Sequence, residues 1–148
     1  MGRVIKRKCI FAVILAVAWS LDRLTKLLAL AHLSSQAGYV GEHRLFAVYR
    51  NYGMSFGILK DNPQACLILS LSGIGLFILL LARHKEALFT PGVAFLLAGA
   101  LGNLSDRFLY GCVVDWVHLI VYINLADIWL CAGALLALKY FYNIHKGA

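Results

Sequence analysis

Four long apolar runs, each closed off by basic or polar residues, set the plan of this 148-residue chain. They cover about 9–32, 64–82, 88–107 and 125–142. As helices rising about 1.5 Å per residue, they approach or exceed the length needed to span a hydrocarbon core of about 30 Å. The first run follows Arg3, Lys6, Arg7 and Lys8, a charged start that also suits a cleaved signal peptide. Its length and the lack of a small-residue cleavage site favour a retained helix. Pro63 opens the second helix at a position proline tolerates, and Arg83, His84 and Lys85 stop it. The third run carries Gly92, Ala94, Ala98, Gly99, Ala100 and Gly102, small residues that let neighbouring helices approach closely.

Between the first two runs the pattern changes. Ser34, Ser35, Gln36, Gly38 and Gly41 lead into HRLFAVYRNYGMSFGIL, where alternation and aromatic or β-branched residues predict short strands. The segment 34–62 is therefore expected to form a small sheet resting on the membrane, with a turn at Asn51 and Gly53 and a tight place at Gly57. A short non-helical leg, 110–123, leads into the last run. The expectation is one domain, 1–148: an all-α membrane bundle of four transmembrane helices with a small β-sheet, or β-cradle, and a short flap or helix outside.

Basic residues set the orientation. Arg3, Lys6, Arg7, Lys8, Arg83, Lys85, Lys139 and Lys146 share one side, which the positive-inside rule makes cytoplasmic. Both termini then lie inside, and 34–62 and 108–123 lie outside, with Asp22, Asp106, Asp115 and Asp127 towards that face.

Composition agrees with a membrane protein: 61% of residues are hydrophobic, 14% are charged and the mean hydropathy is +0.78. The net charge of +7 forms no continuous stripe, so nucleic-acid binding is not expected. Cys9, Cys66, Cys112 and Cys131 show no CxxC, and the five histidines no HExxH, so neither metal nor cofactor is expected.

The candidate chemistry lies between positions 99 and 127, where Asn103, Asp106, Arg107, Asp115, Asn124 and Asp127 interrupt apolar sequence. Ionisable groups at membrane depth are costly and usually functional. Asp115 and Asp127 can meet if an extended leg turns back into the last span. Two carboxylates sharing a site do not both ionise comfortably, so one retains a proton. The charged partner can then take a proton from water while the protonated one polarises a carbonyl. The alternative is that Asp106 and Asp127 cap helices while Asp115 is solvated. Asp22 and Lys26 stand one helical turn apart and pair on one face, with Lys26 free to snorkel to the interface.

These residues fall in five ordered boxes: DRLTK at 22–26, NYGMSFG at 51–57, GALGNLSDR at 99–107, VVDW at 113–116 and NLAD at 124–127. Together they resemble the motifs of lipoprotein signal peptidase, signal peptidase II, a bacterial membrane aspartic protease family. The resemblance covers nearly the whole chain and implies that Asp115 and Asp127 are the catalytic aspartates. It gives supporting, substrate- or inhibitor-binding places to Asp22, Lys26, Asn51, Gly53, Asn103, Asp106, Arg107 and Asn124.

It further implies a prolipoprotein substrate with a diacylglyceryl-modified cysteine, cut on the amino side of that cysteine. Globomycin-type inhibitors, membrane lipid as the medium, a monomeric enzyme and the bacterial inner membrane follow from the same resemblance. Trp116 and Ile123 stand where the family more often has phenylalanine, Met54 and Ser55 replace commoner small residues, and the leg after Asp115 is short and lacks a proline. The departures at Trp116, Ile123 and the leg bear on the flap over the site, whereas Met54 and Ser55 are conservative changes. The rival readings are a small ion- or proton-coupled transporter and a non-enzymatic assembly subunit; the charges gather towards one end of the spans, which disfavours a transmembrane relay.

Overall fold

The computed structural model describes residues 2–33, 45–53, 59, 62–82 and 84–146. Four long helices dominate: α1 (Gly2–His32), α2 (Pro63–Ala82), α4 (Pro91–Tyr110) and α5 (Leu125–Lys146). The one-turn helix α3 (Lys85–Leu88) connects α2 to α4. Strand β1 (Phe46–Asn51) pairs antiparallel with β2 (Val113–His118), which turns back into the short β3 (Tyr122–Ile123).

Several boundaries differ from the expected ones. The helix α1 starts at Gly2 instead of 9, because Arg3, Lys6, Arg7 and Lys8 are good helix formers. The apolar run marks where lipid begins, while the helix continues beyond it. The helix α4 begins at Pro91, three residues into the apolar run at 88–107: Thr90 accepts the Val93 N–H at 3.4 Å, and Pro91 occupies the first turn. It ends three residues late, at Tyr110, where Gly111 takes a left-handed φ of 70° and donates its N–H to the Arg107 carbonyl at 3.1 Å.

The sheet also draws on more of the chain than 34–62. The 110–123 leg, expected only to be non-helical, supplies β2 and β3. Arg50 lies opposite Val114 and Asn51 opposite Val113, and the register shifts between Phe46 and Tyr49. Stacked pairs Phe46–Trp116 and Tyr49–Tyr122, with centroids 6.0 and 4.8 Å apart, tie the strands together. Among the described residues the expected short outer helix is not found; α3 lies at the opposite end of the bundle. The expected features at 34–44, Met54, Ser55 and Gly57 lie outside the described residues.

Packing is built on small residues. On α1 the buried positions are Ala18, Asp22, Lys26 and Ala29, a single stripe at helical spacing. It meets α4, whose buried face includes Ala98, Gly99, Gly102 and Asp106. A methyl group at Gly133 would stand 2.6 Å from the Leu96 backbone nitrogen, and one at Gly92 2.8 Å from that of Ala137. These glycines bring α4 and α5 together backbone to backbone, as helices do without a hydrophobic force between them. The outer faces remain apolar. The twenty residues of α2 contain no charge, and Ile68, Leu71, Leu76 and Leu79 stand exposed on it.

Gly102 is a tight point where α4 meets α1. A methyl there would lie 2.5 Å from an Asp22 carboxylate oxygen, whereas one at Gly73 meets nothing within 4 Å. We therefore expect Gly102→Ala to destabilise by about 1–3 kcal/mol through overpacking. Gly73→Ala should stabilise by roughly 0.5–1 kcal/mol through helix propensity. Thermal unfolding in detergent reads both; equal shifts in the two variants would contradict the close α1–α4 contact.

Candidate active site

Two polar layers occupy one end of the bundle. The deeper layer is an ion cluster between α1 and α4. Lys26 Nζ lies 3.0 Å from Asp22 and 2.8 Å from Asp106, while Arg23 reaches Asp106 at 2.5 Å and Asp22 at 3.4 Å. The snorkelling expected as an alternative for Lys26 does not occur: its side chain is 1% exposed. Long ammonium stems snorkel where no buried anion is available, and here two carboxylates hold the head group in.

Each acid also reaches beyond the cluster. The Ala126 N–H at the start of α5 donates to Asp22 at 2.9 Å, so a carboxylate from α1 satisfies an otherwise unpaired amide of that helix. Asp106 accepts the Val114 N–H at 3.1 Å, fixing β2 to α4. The cluster therefore ties α1, α4, α5 and the sheet together at one place.

The shallower layer holds Asp115 and Asp127. Asp115 stands on β2 and Asp127 in the first turn of α5, and both line one cavity of about 440 Å³. Asn51, Asn103, Arg107, Tyr122 and Leu130 complete much of its wall. Asp115 is buried at 2% exposure, which overturns the solvated alternative. Asp127 does cap: its carboxylate accepts the Asn124 N–H at 3.0 Å, and its own N–H donates to Asn124 Oδ1 at 3.1 Å. This reciprocal pair is a capping box. It leaves the other Asp127 oxygen on the cavity side, so capping and facing the cavity are compatible.

Three asparagines have their amide directions fixed in the same manner. The oxygen of Asn51 accepts the Gly53 N–H at 3.1 Å, that of Asn124 the Asp127 N–H at 3.1 Å, and that of Asn103 Lys26 Nζ at 3.0 Å. Each NH₂ group must then point towards a carboxylate. Asn124 and Asn51 donate to the two oxygens of Asp115 at 2.5 and 3.1 Å, and Asn103 donates to Asp127 at 3.0 Å.

Burial pushes the Asp115 carboxyl up to about 6, the Asn124 hydrogen bond opposes this, and the nearby Asp127 charge adds to the rise. Arg107 donates to the Gly53 carbonyl at 3.2 Å and to that of Asn103 at 3.3 Å, joining the end of β1 to α4 beside the cavity. Among the described residues no group of three or more His, Cys, Asp and Glu side chains could hold a metal.

All ten residues singled out in the sequence fall in or directly behind this cavity: Asp115, Asp127, Asn51, Asn103, Asn124 and Arg107 contact one another or the cavity, Gly53 binds Asn51 and Arg107, and Asp22, Lys26 and Asp106 form the ion cluster. Arg23, the second residue of the DRLTK box, is a full member of the cluster. Leu130 and Cys131 were missed as cavity lining; their positions three and four residues beyond Asp127 place them on the same helical face.

A carboxylate-bearing cavity set into a bundle with an apolar exterior defines a membrane enzyme. Residues 14–142 match the family model described as signal peptidase (SPase) II. The chain is 30% identical to a lipoprotein signal peptidase of Streptococcus agalactiae over 135 residues, covering 86% of this chain and 88% of the relative. It is 32% identical to that of Caldanaerobacter subterraneus over 130 residues, covering 84% and 90%. With the Rickettsia felis relative it is 31% identical over 106 residues, 65% of this chain but 54% of that longer protein. A solved bacterial membrane enzyme superposes with a TM-score of 0.69 at 26% identity, covering 90% of this chain and 88% of the other. The chain belongs to the signal peptidase II family of aspartic proteases.

The two layers predict different responses to substitution. Lys26→Met leaves two buried carboxylates facing Arg23 alone, and breaking a buried ion pair typically costs about 3–5 kcal/mol. Arg107→Ala removes two hydrogen bonds to carbonyls and no buried ion pair, so its stability loss should be smaller, with substrate handling more affected. Thermal unfolding of the two variants decides; equal losses contradict the division.

Proposed function

We propose that Asp115 and Asp127 are a catalytic pair and that the chain cleaves signal peptides from diacylglyceryl-modified prolipoproteins on the amino side of the modified cysteine. The observation that carries this reading is a single cavity onto which two carboxylates project from separate elements, each held by asparagine amide donors. Family membership supports lipoprotein signal peptides as substrate. A lipid-bearing cysteine stays in the bilayer, since each methylene left in hydrocarbon is worth about 0.8 kcal/mol. The protease must then offer its carboxylates at membrane depth.

The chemistry follows from the different surroundings of the pair. Asp115, with its raised affinity for a proton, is the acid; Asp127 is the base. Asp127 takes a proton from water as the oxygen adds to the scissile carbonyl, whose oxygen receives the proton of Asp115. Collapse of the tetrahedral intermediate breaks the C–N bond, and the leaving amine takes a proton from Asp127. The hydroxyl proton returns to Asp115 as the acid product forms. Arg107 and Asn51 lie where they can hold the peptide backbone at the cavity wall. Globomycin-type inhibitors would occupy the same cavity.

Four spans with both termini in the cytoplasm, and the site towards the outer face of the inner membrane, complete the proposal. The distribution of lysine and arginine supports that orientation. The helices α2 and α5 are apolar enough over 20 residues to cross by composition alone. The helices α1 and α4 carry the ion cluster, which pairs internally.

Incubation of the purified protein with a lipidated precursor peptide tests the function. Asp115→Asn and Asp127→Asn should each lower turnover by at least the roughly 10²–10⁴-fold given by general acid–base catalysis. The double variant should be little worse, because groups acting as a unit are non-additive. Asparagine caps helices about as well as aspartate, so near-normal cleavage by Asp127→Asn would reduce that residue to a cap.

The same assay across pH tests the acid. Protonated Asp115 is lost as pH rises through about 6, so kcat/KM should fall on the alkaline side of that value. Removing the Asn124 donor favours the protonated form and should move that limb to higher pH. A limb that stays in place in Asn124→Ala contradicts the assignment.

A further inference from the structure

We propose that the face of the bundle formed by α1, α4 and α5, away from the catalytic cavity, is a binding site for an anionic phospholipid, with a basic pocket for its phosphate and an apolar groove for an acyl chain. The pocket has a volume of about 500 Å³ and lies at the end of the bundle opposite the catalytic carboxylates, between the start of α1, the start of α4 and the end of α5. Two of these elements bring cations to it, Arg7 from α1 and Lys139 from α5. Asn143, Tyr140 and Thr90 add hydrogen-bonding groups at the wall. Lys8 lies 5.2 Å from the centroid of Phe89, which also lines the pocket, and so adds a third positive charge at its rim. Among the described residues no carboxylate lines it. A pocket with this lining favours a phosphate head group of net negative charge over a neutral or zwitterionic one.

The chemistry changes abruptly along the same face. One turn beyond Ile10, a second cavity of about 270 Å³ is lined by Val13, Ile14, Val17, Leu21, Phe95 and Trp129 with Ala18, and none of these is charged. Arg7, Ile10, Ile14, Val17 and Leu21 follow one another at three- and four-residue spacing, so pocket and groove share one face of α1. The fourteen-residue separation of Arg7 and Leu21 corresponds to about 21 Å of helix. One leaflet of hydrocarbon, about half of a 30 Å core, together with its head-group layer has that depth.

The groove floor is held rigid. Trp129 stacks on Phe95 with centroids 5.2 Å apart, and its indole N–H donates to the Ala18 carbonyl at 3.1 Å. Charge at one end and a fixed apolar trough at the other match a phospholipid in the leaflet opposite the catalytic site. Nothing in this inference depends on the cleavage reaction.

Native mass spectrometry of the full chain in detergent, titrated with phosphatidylglycerol and with phosphatidylcholine of the same acyl chains, tests it. Phosphatidylglycerol should bind at least about tenfold more tightly, since each basic residue near a lipid surface contributes about 1 kcal/mol, or roughly fivefold. Arg7→Gln with Lys139→Gln should remove that preference, and Lys139→Gln alone should reduce it. Lys139→Arg should keep it, as should Lys6→Gln, which changes a cation outside the pocket. Val17→Trp, which fills the groove, should weaken both long-chain lipids while sparing a short-chain phosphatidylglycerol.

Equal affinity for the two lipids overturns the proposal, as does a preference that survives the double variant. Loss of the preference in Lys6→Gln to the same extent would show a diffuse surface charge and also overturn it. Displacement of the lipid by equimolar inorganic phosphate would reassign the pocket to free phosphate. A concentration-dependent dimer that competes with phosphatidylglycerol would reassign the groove to a second copy of the chain.

Discussion

A charge buried away from water must find its opposite, and this constraint organises the catalytic end of the molecule. Asp22, Arg23, Lys26 and Asp106 satisfy one another across two helices that lipid alone would not hold together. Because Asp22 also accepts an amide of α5 and Asp106 an amide of β2, the positions of the helix and strand that carry Asp127 and Asp115 depend on the same four groups. Gly102 follows from this requirement, since a side chain there would occupy the space of the Asp22 carboxylate.

The asparagines carry that order outward to the cavity. Lys26 donates to the oxygen of Asn103, which turns its NH₂ towards Asp127, so the ion cluster and the cavity carboxylate are linked through one amide. Asn124 links the two carboxylates directly: its backbone N–H binds Asp127 and its side chain binds Asp115. Burial makes charge on Asp115 expensive, while the amide donors oppose that effect, and the balance leaves a carboxyl that holds its proton up to about pH 6.

Local periodicity made part of this legible in the sequence. The four-residue spacing of Asp22 and Lys26 predicted their pairing, and the small residues Gly92, Ala94, Ala98, Gly99 and Gly102 foretold a closely packed face of α4. Motif boxes brought Asn51 into the set, but its contact with Asp115 spans 64 residues, and no local rule reports a pairing of that range. The same holds for the 110–123 leg, whose strands form because β1 offers an edge. The helix starts at Gly2 and Pro91 do not coincide with the apolar runs, because hydropathy reports where lipid lies, whereas Lys, Arg and capping residues decide where a helix begins. Amide direction was invisible, since an asparagine reads alike in sequence whichever way its side chain is turned.

The ion cluster also limits how this end of the chain can drift in sequence. Two acids and two bases sum to zero charge, so a single replacement that removes one of them leaves an odd charge in a dry place. Sequence change there is then passable mainly in matched steps, an acid together with a base, within α1, which holds three of the four groups, or between it and Asp106 on α4, and the single-step intermediates are handicapped. Positions on the exposed apolar side of α2 carry no such coupling and can exchange one apolar residue for another singly. The two helices should therefore diverge at different speeds within one short protein.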